Sequence, residues 1–275
     1  MSSFFLEYEY SAAWLGVIRI SICAFLLFGF TFIIRDAWCF LNPNGIFGGG
    51  DYVKFCRIFP QYSIFNYYPN SIYARYIVVV FFYLSGLFSL FGLFTQFSLF
   101  VFLVCVISLQ SRLAPLIYTA ADSIVRSLLL CLMFTNCGAA FSLDVFLGRV
   151  ASVEIVDGWA VRVFQVFICM VYFGAAVPKL VDRFWLSGEA VRNAALSPMW
   201  GKRFLMPLFC KYTKGMAVGC LIYEYFAPIF LMIKETALSA VIFGVFFHAG
   251  IAVFLRVGCF GPVMCISLLF FINPC

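Results

Sequence analysis

Charged side chains are scarce in this sequence. Asp, Glu, Lys and Arg make up only 11% of the 275 residues, whereas hydrophobic residues make up 65%. Soluble domains hold roughly 25% charged and 45–50% apolar residues, so a soluble particle of this composition would expose much apolar surface and aggregate. The scarcity of charge therefore excludes a soluble protein and predicts that a lipid bilayer is the solvent.

Several kinds of site are also missing. The 18 Lys and Arg and 12 Asp and Glu give a net charge of +6, but they are spread along the chain. A nucleic-acid partner is not expected, because it needs a clustered basic surface. With one His and no Cys-x-x-Cys pair among 12 cysteines, a zinc site is not expected either. Gly48-Gly49-Gly50 precedes no Lys-Ser/Thr, so it reads as a turn and not a phosphate loop.

Long apolar runs fill most of the chain. A membrane-spanning helix needs about 20 mainly apolar residues, and about eight stretches approach that length. They are Ala12–Ile34, Ile72–Phe94, Phe97–Ile117, Ser123–Phe141, Trp159–Leu180, Met216–Ile233, Leu238–Leu255 and Cys259–Ile272. Continuous apolar runs lack the alternation of barrel strands. The sequence therefore predicts an all-α, polytopic membrane helical bundle. Residues 12–274 form its single integral membrane domain and residues 1–11 a short polar N-terminal segment.

Two loops are long. Arg35–Ser71 is rich in turn residues and holds Cys39 and Cys56, which can form a disulfide if this loop faces an oxidising compartment. Val181–Gly215, between the fifth and sixth helices, holds Trp185 and scattered basic residues. Such aromatic and cationic side chains favour the headgroup level, which predicts an interfacial segment.

The informative residues are the ionisable ones in or beside apolar runs. A charge at the centre of a spanning helix costs about 2.5–3.5 kcal/mol, so it usually marks a pair, a pathway or a site. The candidates are Arg19, Asp122, Arg126, Lys179, Glu224 and His248.

Each candidate also has a purely structural interpretation. Arg19 and Glu224 can pair inside the bundle. Lys179 can extend its amine to the headgroups, and His248 can bond a backbone carbonyl. Asp122 can cap its helix with Arg126 as its partner one turn later.

The functional interpretation rests on the joint presence of these groups in so apolar a chain. A desolvated lysine can act as a base and a desolvated glutamate as an acid. Tyr172 lies two turns before Lys179 on roughly the same helix face. Pro178 frees a backbone carbonyl beside the amine. Proton transfer by Lys179, Glu224 and His248 is the predicted chemistry, with Arg19, Asp122, Arg126, Tyr172 and Trp185 as structural or substrate-lining candidates.

The stretch Val163–Leu196 resembles the horizontally transferred transmembrane (HTTM) domain family. The similarity lies in an aromatic-rich helix, small residues, a basic residue and then Trp185-x-x-Gly188-x-Ala190. The stretch FFHAGIAVFLRVGCFGPVMCISLLFFINP, from Phe246, is similar to the sporulation-delaying protein B (SdpB) branch. Arg19, Glu224 and the Phe247-His248 pair also match family positions.

The resemblance implies two activities. In the SdpB branch, the membrane protein works with a small SdpA-like partner to mature a secreted antimicrobial toxin peptide from its precursor. In the distantly similar vitamin K-dependent gamma-carboxylases, a lysine at the position of Lys179 deprotonates a reduced quinone, and a histidine stands where His248 stands. Those enzymes carry an Asn-His pair where this chain reads Ala121-Asp122, so glutamate carboxylation is not expected. A non-enzymatic immunity or scaffold protein that binds the peptide is the third interpretation.

Two signals for orientation disagree. Positive charge in the odd-numbered loops would place them in the cytoplasm. The family topology implies a cytoplasmic N-terminus with the first and fifth loops outside, which agrees with a Cys39–Cys56 disulfide. We adopt the family topology, since charges in long loops count less in the positive-inside rule. The predicted location is the cell membrane.

Overall fold

The computed structural model describes residues 4–5, 7–36, 38–42, 45, 49–58, 62–114, 119–202 and 206–274; side chains at 36, 39–40, 49–50, 58 and 206–210 lie outside this description. Two short strands are β1 (Glu9–Ser11) and β2 (Ile155–Asp157). The helices are α1 (Ala12–Asp36), α2 (Trp38–Leu41), α3 (Gly49–Ile58), α4 (Ile72–Phe91), α5 (Thr95–Leu113), α6 (Ala120–Phe134), α7 (Leu143–Phe146), α8 (Trp159–Val181), α9 (Arg183–Leu186), α10 (Glu189–Leu196), α11 (Met206–Met232), α12 (Lys234–Phe254) and α13 (Phe260–Leu268).

Six of the described helices are long and apolar enough to cross a membrane, namely α1, α4, α5, α8, α11 and α12. They correspond to six of the predicted spans, and the all-α polytopic fold is confirmed. Large aromatic side chains on these helices are exposed: Phe28 and Phe97 are each 70% exposed and Phe246 is 72% exposed. Lipid solvates such apolar surfaces, whereas their exposure to water is unfavourable.

Two predicted spans are shorter than expected. The fourth, Ser123–Phe141, forms only the 15-residue helix α6, because its chain leaves the helix at Thr135 with extended backbone. The eighth, Cys259–Ile272, forms α13 and a 3-10 turn at Leu269–Phe271. Both fall below the roughly 20 residues that a full span needs. The segment between α8 and α11, which the sequence predicts to be interfacial, contains the short helices α9 and α10.

The chain contacts divide into two compact units, residues 1–161 with 274–275, and residues 162–273. The sequence predicts a single domain over residues 12–274. In the first unit α1 packs on α4, α4 on α5 and α5 on α6. Strand β1, from the predicted polar segment, pairs antiparallel with β2, with Glu9 opposite Asp157.

Two phenylalanines of the first unit adopt left-handed backbone, Phe94 with φ 46° and Phe141 with φ 49°. Such φ values are uncommon for bulky residues and need support from their surroundings. The Phe94 amide donates to Asp144 Oδ1 at 2.9 Å, and the Phe141 carbonyl accepts from Arg19 Nη2 at 2.5 Å. One charged side chain therefore bonds the backbone of each phenylalanine.

In the second unit α11 packs against α10 and α12, and α12 packs against α13. Helix α8 contains Pro178, three residues before the helix ends at Val181. Because proline has no amide hydrogen, one backbone bond of α8 is missing at this turn. The candidate site residues of this unit come from α8, α9, α11 and α12.

Candidate functional site

Lys179 and Glu224 form a close ion pair in the second unit. The Lys179 amine, at the end of α8, lies 2.6 Å from Glu224 Oε1 and 2.5 Å from Oε2 on α11. The side chains are only 22% and 11% exposed. Glu224 thus pairs with Lys179 and not with Arg19, so the predicted Arg19–Glu224 pair is wrong. The expected extension of the Lys179 amine to the headgroups stays a prediction.

Two further side chains contact this pair. The Lys179 amine lies 4.3 Å from the centroid of the Trp185 ring, in a cation–π geometry. Trp185 is itself fixed by its indole nitrogen, which donates to the Ala217 carbonyl at 3.1 Å. The Cys220 thiol donates to Glu224 Oε1 at 3.4 Å, one helical turn away. Amine, carboxylate, indole and thiol therefore form one cluster.

A second polar cluster is formed by side chains of α8, α11 and α12. The Tyr172 hydroxyl is 2.8 Å from His248 Nε2 and 3.3 Å from the Tyr223 hydroxyl. All three side chains are buried. The expected bond from His248 to a backbone carbonyl is replaced by this bond to Tyr172. His248 Nδ1 has no hydrogen-bond partner among the residues that the structure describes.

The two clusters are joined along the chain. Tyr172 and Lys179 lie two turns apart on α8, as the sequence predicts, and Tyr223 directly precedes Glu224 on α11. The Tyr172 and Tyr223 rings meet edge to face with centroids 5.5 Å apart. Lys179, Glu224, His248, Tyr172 and Trp185 are thereby brought together in one unit.

A cavity of about 410 Å³ adjoins the ion pair. Trp185 and Cys220, which both contact the pair, belong to its wall. The remaining lining residues are Val191, Met216, Gly219, Phe243, Phe246, Phe247, Gly250, Ile251, Phe254 and Leu255. The lining is therefore almost entirely apolar, and Cys220 is its one ionisable side chain among the described residues.

Arg19 has its partners in the first unit. Its side chain is fully buried on α1, and Nη1 donates to the Cys137 carbonyl at 2.8 Å. With the bond to the Phe141 carbonyl, the guanidinium joins the turn after α6 to α1. Bonds to carbonyls satisfy donors without a carboxylate. These contacts give Arg19 a structural role.

Asp122 and Arg126 also lie in the first unit, with partners that differ from the predicted ones. Asp122 is the third residue of α6 and not its N-cap: its Oδ2 accepts from the Thr119 amide at 2.8 Å in a capping box. Arg126 Nε donates to Gln110 Oε1 at 2.7 Å on α5. Asp122 therefore caps the start of α6, and Arg126 connects α6 to α5.

The loop cysteines give no support to a disulfide. Cys56 is a free thiol, and its sulfur lies 3.8 Å from Asn66 Oδ1. The side chain of Cys39 lies outside the described residues. The pairing of these two cysteines stays a prediction.

The sequence reasoning missed Cys220 and Tyr223 as members of the clusters. Cys220 lies four residues before Glu224, and Tyr223 adjoins it, so helical spacing around the buried acid could have indicated both. Asp144 was missed too. Its carboxylate accepts from two backbone amides, those of Phe94 and Thr95, through contacts far apart in sequence.

The arrangement can hold and move a proton. In the ion-paired form Lys179 is an ammonium and Glu224 a carboxylate. Moving one proton along the contact gives a neutral amine and a neutral acid, which apolar surroundings penalise less. Among the described residues no group of three or more His, Cys, Asp or Glu side chains could hold a metal ion. The Lys179–Glu224 contact can perform acid–base chemistry beside an apolar cavity.

Comparison with known proteins gives one family. The model of the HTTM domain matches residues 9–275, which is nearly the whole chain. No curated protein and no solved structure matches the sequence. Together with the six membrane-spanning candidates, this match identifies the chain as a multi-pass membrane protein that belongs to the HTTM domain family.

Proposed function

We propose that this protein is a maturation factor for a secreted antimicrobial peptide in the cell membrane, acting with a small SdpA-like partner. The single observation that carries the proposal is the Lys179–Glu224 pair beside an apolar cavity. The similarity of the C-terminal stretch from Phe246 to the SdpB branch supplies the substrate class.

Lys179 and Glu224 are the proposed acid–base pair. In this role Glu224 takes the ammonium proton, Lys179 becomes a neutral amine, and the amine accepts a proton from the substrate. Trp185 holds the amine in place and Cys220 holds the carboxylate. Tyr172 and His248 are proposed to fix the adjoining wall of the site through their 2.8 Å bond.

Replacing Lys179 with Met tests this role. In cells that co-express the precursor and the partner, we expect the amount of mature peptide, measured by mass spectrometry, to fall by roughly 100-fold or more, the range of general acid–base catalysis. Lys54→Met is the matched control, because Lys54 also pairs with an acid, Asp51 at 3.4 Å, but both are exposed. That control should leave the yield unchanged.

Two results would contradict the proposal. Mature peptide of unchanged mass and amount in the Lys179→Met cells would remove the lysine from the reaction. Unchanged peptide after deletion of the whole protein, with loss of self-protection only, would indicate a non-enzymatic immunity or scaffold protein. Accumulation of each variant in the membrane fraction is measured in parallel.

A second candidate is a quinone-dependent enzyme with Lys179 as base. It is favoured by the position of Lys179 in the resemblance to the gamma-carboxylases and by the aromatic wall at Trp185 and Phe247, which suits a flat ring. A reduced quinone would supply a weakly acidic hydroxyl there, and Lys179 would accept its proton. In air-saturated buffer, purified protein in nanodiscs should then oxidise a reduced naphthoquinone faster than the Lys179→Met variant, with dioxygen accepting the two electrons and two protons as hydrogen peroxide. Equal rates would exclude this activity.

A further inference from the structure

A cavity of about 590 Å³ lies in the first unit, between α5 and the 3-10 turn Ile64–Asn66. Its described lining combines two kinds of surface. The polar side includes Tyr62, Ser63, Asn66 and Tyr67. The apolar side includes Val104 and Ile107 on α5. A cavity of this size typically holds a small molecule, and a mixed lining suits a ligand with one polar and one apolar end.

Hydrogen bonds fix this turn on α5. The Ile64 amide donates to Ser108 Oγ at 3.2 Å, and the Ser63 hydroxyl donates to the Ser108 carbonyl at 3.4 Å. The Ser111 hydroxyl donates to the Tyr62 carbonyl at 3.1 Å. The polar wall of the cavity is therefore preformed, and a ligand does not have to order the turn when it binds.

Two buried arginines stand behind the turn. The guanidinium carbon of Arg75, on α4, lies 5.7 Å from the centroid of the Phe65 ring, and that of Arg112, on α5, lies 4.6 Å from the centroid of the Tyr52 ring. The Tyr52 hydroxyl donates to Oδ1 of Asn66, a residue of the cavity wall, at 3.0 Å. Both arginines are at most 1% exposed. Their positive charges therefore lie one layer of side chains behind the wall.

Acids do not balance the charge of this region. Between residues 38 and 75 Asp51 is the one acid against three basic residues, and it pairs with Lys54. The Arg75 guanidinium donates to two backbone carbonyls, which are neutral, and its Nε has no hydrogen-bond partner among the described residues. Arg75 and Arg112 are close enough to repel one another. Surroundings of low dielectric strengthen this repulsion, and a nearby anion relieves it.

The depth of the cavity in the membrane favours a lipid as the occupant. Helices α4 and α5 are both long enough to span, and α4 begins at the end of the pair where α5 ends. The turn Ile64–Asn66 therefore lies at headgroup level, where polar and aromatic side chains are favoured. Val104 and Ile107 lie about two turns before the end of α5, within the apolar level. Acyl chains suit this deeper side and a polar headgroup suits the outer side.

We propose that the cavity between α5 and the turn Ile64–Asn66 binds one anionic phospholipid, with its phosphate beside Ser63 and Asn66 and an acyl chain along Val104 and Ile107. The positive charge behind the wall selects a headgroup with a net negative charge, as basic pockets between membrane helices do. A zwitterionic lipid has a similar shape but no net charge, so this wall does not favour it. The site lies outside the Lys179–Glu224 cluster, and the inference does not depend on the proposed function.

Native mass spectrometry of the full chain in detergent tests the binding. The probes are phosphatidylglycerol and phosphatidylcholine with identical acyl chains. We expect one phosphatidylglycerol to bind roughly tenfold more tightly than phosphatidylcholine, the ratio that one or two basic side chains give for one net charge. Equal binding of the two lipids would overturn the proposal. Glycerol 3-phosphate bound as tightly as phosphatidylglycerol would overturn it too, because the cavity would then recognise a soluble anion.

A bulky substitution on α5 locates the site. Ile107→Trp fills the apolar side of the cavity and should weaken phosphatidylglycerol binding several-fold. Ile77→Trp on α4 is the matched control, because Ile77 is 56% exposed and lies outside the described lining. The control should leave binding unchanged. Equal affinities of the two variants would place the lipid elsewhere and contradict the proposal.

Substitutions of Arg112 test the source of the selectivity. Arg112→Met removes the charge and should abolish most of the preference for phosphatidylglycerol, whereas Arg112→Lys keeps the charge and should keep the preference. A Met variant that retains the full preference would overturn the proposal. If the Met variant does not accumulate, Arg57→Gln replaces it, since Arg57 is exposed and adjoins Cys56 in the cavity wall. Arg57→Gln should reduce the preference, and an unchanged preference would again overturn the proposal.

Discussion

Asp144 is a buried carboxylate that organises the turn between α4 and α5. It accepts from the amide and the hydroxyl of Thr95, at 2.9 Å and 2.8 Å, and from the Phe94 amide. Burial raises the pKa of Asp144, but these bonds and the charge of Arg149 outweigh burial, so its pKa lies below the ordinary value. The ionised form is therefore the one that stabilises the fold.

Replacing Asp144 with Asn should destabilise the protein by about 2 kcal/mol at neutral pH, because charge-assisted bonds are lost. A lowered folded-state pKa gives stability that is complete above the ordinary carboxyl pKa of about 3.9 and is lost as the pH falls through the folded value. Thermal unfolding in detergent should thus show a difference in unfolding temperature between wild type and variant, and this difference should narrow below about pH 4. A difference that widened on acidification would contradict this account.

At the residue scale the sequence predicts which ionisable residues belong to the candidate site more accurately than it predicts the contacts that each of them makes. Lys179, Glu224 and His248 stand out because charge in apolar helices is rare. Their partners depend on how α8, α11 and α12 pack, which local pattern does not specify. Arg19 shows this limit: as a lone buried cation it suggests an acid partner, yet its Nη1 and Nη2 atoms donate to backbone carbonyls.

At the element scale the turn between α4 and α5 depends on Gly92. Its φ is +67°, and a Cβ there would collide with Ser142 and lie 2.8 Å from Arg19 Nη1. Gly148 has the same backbone, φ +68°, but a Cβ there would meet no atom within 4 Å. Left-handed backbone alone costs a side chain about 1–2 kcal/mol.

The two glycines therefore form a matched pair. Gly148→Ala should lower the free energy of unfolding by about 1 kcal/mol, the backbone term alone. Gly92→Ala should cost clearly more, because it also displaces Ser142 and the Arg19 guanidinium. Denaturation of both variants in the same detergent measures the difference. Equal losses of unfolding free energy would show that the turn accommodates a Cβ at residue 92 without displacing Ser142 or Arg19.

Element type was predictable and element length was not. The apolar runs identify six spanning helices, since run length sets a transmembrane helix directly. Helix α6 ends at Phe134 although the apolar run continues to Phe141. The chain turns there so that the Cys137 and Phe141 carbonyls can accept from Arg19, and this tertiary contact overrides the hydropathy pattern.

At the scale of the whole molecule the orientation in the membrane is a prediction from the family topology. It places the loop that holds Tyr62, which is 85% exposed, outside the cell. In a background with Cys39, Cys56 and Cys259 replaced by Ser, Tyr62→Cys should react with an impermeant maleimide in intact cells. Labelling only after permeabilisation would instead favour the orientation that the positive-inside rule gives.

The central claim is that the Lys179–Glu224 pair performs chemistry and is not only a structural contact. Removing one partner leaves a buried, unpaired charge and should destabilise the protein by about 3 kcal/mol, so single variants mix the two roles. The double variant Lys179→Met with Glu224→Gln removes both charges together. The most direct measurement is the yield of mature peptide per amount of this double variant in the membrane. We expect the double variant to accumulate in the membrane close to the wild-type amount but to yield no mature peptide. A double variant that accumulates like wild type and also yields mature peptide like wild type would contradict the claim.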